Sequence, residues 1–301
     1  MRLDGNVVLV TGAGGGLGRA HAEYLAKKGA RVAVNDVSIE SVERTVELIK
    51  QTGGSAIGCV ASVTDETRVP EMVEQVVREW GRVDILINNA GVLRDRSFAK
   101  MSIEEFRLVI DVHLMGSAIC SKAVWDVMRD QNYGRIVMTT SSSGLFGNFG
   151  QANYGAAKMA LVGLMQTLAI EGAKYNIRVN CLAPTAATQM TQGILGSQQL
   201  DALAPERVSP ALLALVGPDA PTRSILCAGA GHFATSNVTL TNGAYIGVGE
   251  DAGENLIRDW EAVCDRTGEI VPEYGFAQAE REVASANANE GSQPLAVAAS
   301  S

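Results

Sequence analysis

The chain has 301 residues, 47% of them hydrophobic and 19% charged, with a formal net charge of −8. That is enough for one large α/β domain with a full core or for two small ones, and no apolar run approaches the ~18 residues of a membrane span. The acidic balance and scattered basic residues argue against a nucleic-acid partner. Five widely spaced cysteines argue against a disulfide framework, and three isolated histidines against a metal site.

No signal peptide precedes the first strand, so the expected location is cytoplasmic. That strand, Asn6-Val7-Val8-Leu9-Val10, runs into Thr11-Gly12-Ala13-Gly14-Gly15-Gly16-Leu17-Gly18, and Arg19 to Lys28 reads as a helix. A strand, a glycine loop and a helix start let backbone N–H groups and the helix dipole approach a pyrophosphate. Arg31 to Asn35 is a second strand that ends at Asp36, whose carboxylate can accept hydrogen bonds from an adenosine ribose and repels a 2′-phosphate. The expected cofactor is therefore NAD. Asp36 can also be read as the cap of the helix from Ser38 to Lys50.

The alternation continues through a third strand (Ser55 to Val60), an amphipathic helix (Glu66 to Glu79) and a fourth strand (Asp84 to Ile87) that runs into Asn88-Asn89-Ala90-Gly91. Strands alternating with helices imply an α/β fold with a Rossmann-type, doubly wound parallel sheet, binding ligands at the carboxyl ends of its strands. Arg94 and Arg96 follow in the next loop. They are candidate cations for a phosphate-bearing substrate or, with Asp95 between them, a solvated loop. Phe106, Ile110, His113, Leu114 and Ser117 keep helical spacing, which suits a core histidine as well as a functional one.

After the apolar run Ile136-Val137-Met138 come Thr139, Thr140 and Ser141, then a loop punctuated by Gly144, Gly147 and Gly150. Tyr154 opens a helix to about Ala173, with Lys158 four residues on and so on the same face. Such a pair is either an exposed surface contact or a base. A phenol titrates near ~10, and bringing it to neutrality takes roughly 4 kcal/mol of differential stabilisation, which a lysine and a cationic cofactor can supply. Ser141 lies thirteen residues before Tyr154, and the glycines let the loop fold back so that hydroxyl and phenol meet over one substrate oxygen.

The helix from Ala156 to Ala173 is apolar on more than one face, more than one sheet contact would bury, which predicts that a second subunit covers the remainder. Beyond a sixth strand (Ile177 to Leu182), Thr188 to Ser209 is polar and glycine-punctuated, as a substrate lid would be. Ser224 to Ala228 is the expected last strand, Val238 to Ile246 a hairpin with an Asn-Gly turn, and Glu254 to Cys264 a short helix. We expect a single domain over residues 1–265 and an extension over 266–301, disordered after Phe276.

The glycine motif at Thr11 to Gly18, Asn-Asn-Ala-Gly at Asn88 to Gly91, Ser141, and Tyr-x-x-x-Lys at Tyr154 to Lys158 together resemble a classical short-chain dehydrogenase/reductase. The resemblance implies that Tyr154 is the acid/base, that Lys158 holds the nicotinamide ribose and lowers the tyrosine pKa, and that Ser141 orients the reacting oxygen. It implies cofactor contacts from Gly12, Gly16, Leu17 and Gly18, and support for the adenine side from Asn89, Ala90 and Gly91. Three positions depart from the family pattern. His113 stands where an Asn often holds a relay water, Ser62-Val63 where Asp-Val often contacts adenine, and Thr185 where a glycine often follows Pro184.

Longer strings, Gly91 to Phe98, Tyr133 to Thr139, Gly147 to Tyr154 and Leu168 to Gly172, resemble the (3R)-hydroxyacyl-CoA dehydrogenase units of type 2 peroxisomal multifunctional enzymes. This implies NAD-dependent oxidation of a 3-hydroxyacyl-CoA thioester to the 3-ketoacyl-CoA. A hydroxysteroid dehydrogenase is the second enzymatic reading. A dinucleotide-binding regulatory protein without chemistry is the third, and the intact Ser141, Tyr154 and Lys158 weigh against it.

Overall fold

The computed structural model describes residues 1–187 and 201–290. Seven parallel strands form the expected sheet: β1 (Val7–Val10), β2 (Arg31–Asp36), β3 (Ser55–Val60), β4 (Ile85–Asn88), β5 (Gly134–Thr139), β6 (Ile177–Thr185) and β7 (Ile225–Gly229). An eighth, β8 (His232–Ser236), runs antiparallel to β7, and the order is β3-β2-β1-β4-β5-β6-β7-β8. Val8 pairs with Val32 on one side and Ile85 on the other, so the winding reverses between β1 and β4. Loops leaving neighbouring strands part at such a reversal and open a crevice outside the carboxyl ends.

The connecting helices are α1 (Gly16–Lys27), α2 (Ile39–Gln51), α3 (Arg68–Trp80), α4 (Ile103–Ile110), α5 (Gly116–Asp130), α6 (Ser142–Phe146), α7 (Ala152–Gly172) and α8 (Ala211–Val216). Because they cover both faces, the central strands β1, β4 and β5 are buried along their whole length rather than on alternate residues. Leu9, Leu86, Ile136 and Met138 pack against Val76, Val124, Met128, Leu161 and Met165 of α3, α5 and α7. Their neighbours Val8, Val10, Ile85, Ile87 and Val137 pack against Leu25, Ile49, Leu212 and Leu215 of α1, α2 and α8. Each such side chain, fully buried, contributes about 1.5–3 kcal/mol, and together they fix the strand ends from which the site is built.

A capping box between Ser102 and Glu105 starts α4. The helix then runs on through a π turn at Asp111–Met115 into α5. Ile103 to Asp130 is long and apolar enough to cross a membrane by length and composition. In this fold it is a core helix, with Cys120, Val124 and Met128 fully buried.

The chain divides into two compact units between Ser236 and Asn237 rather than at 265. The reason is the β7–β8 hairpin, which the sequence reading placed further on. Ala230 and Gly231 both take positive φ (52° and 79°), as a two-residue hairpin turn requires, and this turn closes the first unit. In the second unit, Val238 to Ile246 is not a hairpin. Leu240 instead exchanges backbone hydrogen bonds with Ile270 (2.8 and 3.0 Å), and the Asn242 amide donates to the Thr267 carbonyl at 2.9 Å. The expected short helix is two, α9 (Ala252–Arg258) and α10 (Trp260–Cys264), and Phe276–Glu290 forms a helix, α11, where composition predicted disorder. Its i,i+4 pair Gln278–Glu282 (2.7 Å) and the bond from the preceding Tyr274 to Glu280 (2.6 Å) are local contacts that composition alone does not reveal.

Candidate active site

The glycine loop lies at the carboxyl end of β1, in the crevice beside β4. A Cβ on Gly12, whose φ is +62°, would sit 2.7 Å from the Ala90 Cα, and one on Gly18 would land on the Gly12 carbonyl. Thr11, to which the sequence reading gave no role, sews this loop to the Asn89 loop. Its hydroxyl accepts from the Asn89 and Ala90 amides (3.0 and 3.1 Å), while the Asn89 side chain donates to the Thr11 and Gly12 carbonyls (2.9 and 3.2 Å). Asn89 and Ala90 therefore support the loop, and Leu17 packs partly into the core below it.

Gly15, the N-cap of α1, has open space where a side chain would be, no side chain caps the helix, and its first turn carries no acid. Amide donors and a positive dipole end facing open space fit a pyrophosphate. Asp36, at the end of β2, stands beside this loop. One oxygen accepts from the Gly14 amide (3.0 Å) and the other from Val37 and Ser38 (2.8 and 3.3 Å), while Ser38 caps α2 through the Ser41 amide. The cap is thus Ser38, and Asp36 shapes the cofactor loop. Arg19 braces the same loop, bonding the Gly14 carbonyl and the Thr45 hydroxyl. Ser62 is turned to the Thr64 hydroxyl (2.8 Å), and Val63 is buried against Gly116, so Val63 can offer a cofactor only its backbone.

Strand β5 and helix α7 bring the catalytic candidates together. Ser141 caps α6, accepting from the Ser143 amide at 3.2 Å, and its hydroxyl is near enough to the Tyr154 phenol to lower its pKa. A Cβ on Gly144 would lie 2.7 Å from the Lys158 Cβ, so this glycine lets α6 close onto α7. Lys158 is buried, and its ammonium donates to the Thr139 carbonyl (2.5 Å) while standing 5.4 Å from the Tyr154 ring centroid. The pair is not an exposed surface contact.

The electrostatics differ from the sequence expectation. Burial raises the Tyr154 pKa, the Ser141 hydroxyl lowers it, and the Asp95 charge raises it further. Lys158 does not lower it, because burial leaves this amine neutral at the pH where a phenol titrates. Burial in turn pushes the Lys158 pKa down to about 7.

His113 sits in the π turn with its ring edge-on to Tyr154, centroids 5.2 Å apart. Its Nε2 lies 2.8 Å from the Val92 carbonyl and 3.1 Å from the Val92 amide, and its buried Nδ1 has no hydrogen-bond partner among the described residues. Burial, then the Lys158 charge, push its pKa down to about 3, so the ring is neutral. A Cβ on Gly91 would strike this ring, which is why glycine ends the Asn-Asn-Ala-Gly motif.

Two loops border Tyr154, and they are pinned together. The Arg96 amide donates to the Gly150 carbonyl (2.9 Å), Gln151 to Asp95 (2.7 Å), and Asn153 to the Arg94 carbonyl (3.0 Å). Arg96 is committed to an ion pair with Glu105 at 2.8 Å, and Arg94 bonds the Leu93 carbonyl. Thr185 ends β6; most of the expected lid, residues 188–200, lies outside the described residues.

Residues 6–198 match the short chain dehydrogenase family. The peroxisomal multifunctional enzyme type 2 of Mus musculus is 42% identical over 285 residues, which is 91% of this chain and 38% of that protein. The structure of the full-length enzyme of that name from Drosophila melanogaster superposes with a TM-score of 0.80 at 36% identity, over 94% of this chain and 49% of that one. A 7α-hydroxysteroid dehydrogenase, solved with NADH and 7-oxoglycochenodeoxycholic acid, superposes with a TM-score of 0.72 at 29% identity, over 76% of this chain and 95% of that one. The chain thus spans well under half the length of the curated multifunctional relative. With the family match covering the glycine loop, Ser141, Tyr154 and Lys158, the chain belongs to the short-chain dehydrogenases, a family of oxidoreductases.

Proposed function

We propose that the protein is an NAD-dependent dehydrogenase that oxidises a 3-hydroxyacyl-CoA to the 3-ketoacyl-CoA. The observation that carries the chemistry is the grouping of buried Ser141 and Lys158 with half-buried Tyr154 at the carboxyl end of β5, beside a cradle that fits a pyrophosphate. Identities of 50% over 218 residues and 42% over 285 to relatives named as hydratase-dehydrogenase-epimerase and multifunctional enzymes support the acyl-CoA substrate. Asp36, with no Arg or Lys among residues 37–39, supports NAD over NADP.

A nicotinamide dinucleotide, when bound, supplies the hydride acceptor. The glycine loop and the α1 N-terminus hold its phosphates, Asp36 its adenosine ribose, and Lys158 its nicotinamide ribose. Ser141 fixes the carbinol oxygen by hydrogen bonding, and Tyr154 takes the hydroxyl proton. His113, neutral, meets the Val92 backbone through Nε2 and keeps an Nδ1 unpartnered among the described residues, with its ring edge-on to Tyr154. We assign it a place in the relay that carries the proton away. Exposed apolar residues along α4 and α7 (Ile103 59%, Leu108 39%, Met159 39%, Ile170 48%) support assembly as a homodimer or homotetramer.

The test is to follow NADH formation with a short 3-hydroxyacyl-CoA and with free steroid alcohols, for wild type and Tyr154→Phe. Turnover of the thioester that the variant lacks, with cofactor binding retained, is expected. Turnover of steroid alcohols alone would establish the hydroxysteroid reading, and no turnover of either would establish the regulatory one.

A further inference from the structure

None of the chain's six phenylalanines is buried. Three of them stand almost free in water on the two loops that border Tyr154: Phe98 (74% exposed), Phe146 (73%) and Phe149 (90%). Phenylalanine is a residue that folding ordinarily buries, and exposed apolar side chains grouped on two loops that are hydrogen-bonded to each other mark a surface built to bind.

The backbone that presents them is held in place. Ser141 caps the short helix whose last residue is Phe146, so one end of the aromatic group is tied to the catalytic hydroxyl. Gly147 and Gly150 take φ of +78° and +80°, turning the chain on either side of Phe149. Gly150 lies against the Arg96-Ser97 backbone, where a Cβ would be 3.7 Å from the Arg96 carbonyl carbon, and its carbonyl accepts from the Arg96 amide at 2.9 Å. Phe98 follows directly. The bonds from Gln151 to Asp95 and from Asn153 to Arg94 fix the same seam, three residues and one residue before Tyr154.

We propose that Phe98, Phe146 and Phe149 form the seat of the substrate's acyl chain and make the enzyme select for long apolar chains. The inference rests on the acyl-CoA reading above. The group that leaves the reacting carbon away from the thioester is a bare hydrocarbon, and it needs an apolar surface continuous with Ser141 and Tyr154. The coenzyme limb is polar and charged, and three phenylalanines do nothing for it.

The experiment measures kcat/KM for (3R)-hydroxyacyl-CoA substrates of about four to about twelve carbons. The enzymes are wild type, Phe149→Ala, the Phe98→Ala/Phe149→Ala double variant and Phe149→Leu. For wild type, each methylene that reaches the seat should raise kcat/KM about threefold to fourfold until the seat is filled. The double variant should lower the long-to-short ratio by at least about tenfold, and Phe149→Leu should keep most of it. An unchanged ratio in the double variant, or a wild type indifferent to chain length, overturns the proposal. So does sedimentation showing that the alanine variants dissociate an oligomer while the ratio holds, because the phenylalanines would then serve a second copy of the chain. Failure of wild type on even the short thioester refutes the acyl-CoA reading itself, a result separate from any chain-length effect.

Discussion

Replacing Lys158 by methionine should stabilise the protein at acid pH and lose that advantage as the pH rises. The side chain is only 3% exposed, and burial holds its pKa at about 7 against an ordinary value near 10.5. Below about pH 7 the ammonium is charged in both folded and unfolded chains, so the full cost of burying it is present, about 5 kcal/mol. Between about 7 and about 10.5 the unfolded chain binds a proton that the folded one does not, so stability rises with pH across that window. Lys158→Met removes the slope. It also leaves the Thr139 carbonyl without its donor, which costs about 1–3 kcal/mol at every pH and so changes the level and not the slope.

Urea denaturation of both proteins from about pH 6 to about pH 8.5 reads the difference. The stabilities of variant and wild type should converge by about 2 kcal/mol over that range. The range ends there because burial pushes the thiols of Cys59, Cys120 and Cys181 up to about 12, and exposing them on unfolding lowers stability above their ordinary pKa. Parallel stability curves would refute the reasoning, and would mean that the ammonium is better solvated than its place between Thr139 and Tyr154 suggests.

Three further outcomes are expected. Asp95 raises the Tyr154 pKa, so Asp95→Asn should move the rising limb of kcat/KM for alcohol oxidation to lower pH; a limb that stays in place would remove Asp95 from the site's electrostatics. In Gly18→Ala the new methyl would strike the Gly12 carbonyl and lie 2.5 Å from the Asn89 amide nitrogen, an overlap worth about 1–3 kcal/mol. NADH binding followed by fluorescence should weaken about tenfold, and wild-type affinity would show that the loop adjusts. Asp36→Ala should lower kcat/KM for NAD and narrow its margin over NADP; an unchanged ratio would mean that Asp36 only shapes the loop through Gly14.

The alternation of strand and helix, the glycine loop at Thr11 to Gly18 and the spacing from Ser141 through Tyr154 to Lys158 could be read from the chain alone. Each is a local pattern: a period of side-chain burial, a turn that only glycine allows, or two residues one helical turn apart. What those groups do to one another could not be read there, because it depends on contacts distant in sequence and on exclusion from water. Lys158 sits one turn from Tyr154 as its spacing requires, yet its ammonium answers to Thr139, and burial reverses the expected shift of the phenol. Asp95 reaches Tyr154 only because Gln151 and Asn153 pin its loop, and His113 is neutral because Val92, Gly91 and Tyr154 enclose it. The β7–β8 hairpin turns on Ala230 in a backbone conformation that its residue type does not advertise, and the second unit pairs Leu240 with Ile270 across thirty residues. Sequence periodicity thus decided which residues stand at the carboxyl ends of the strands, and tertiary packing decided their charge, their partners and the direction in which each one points.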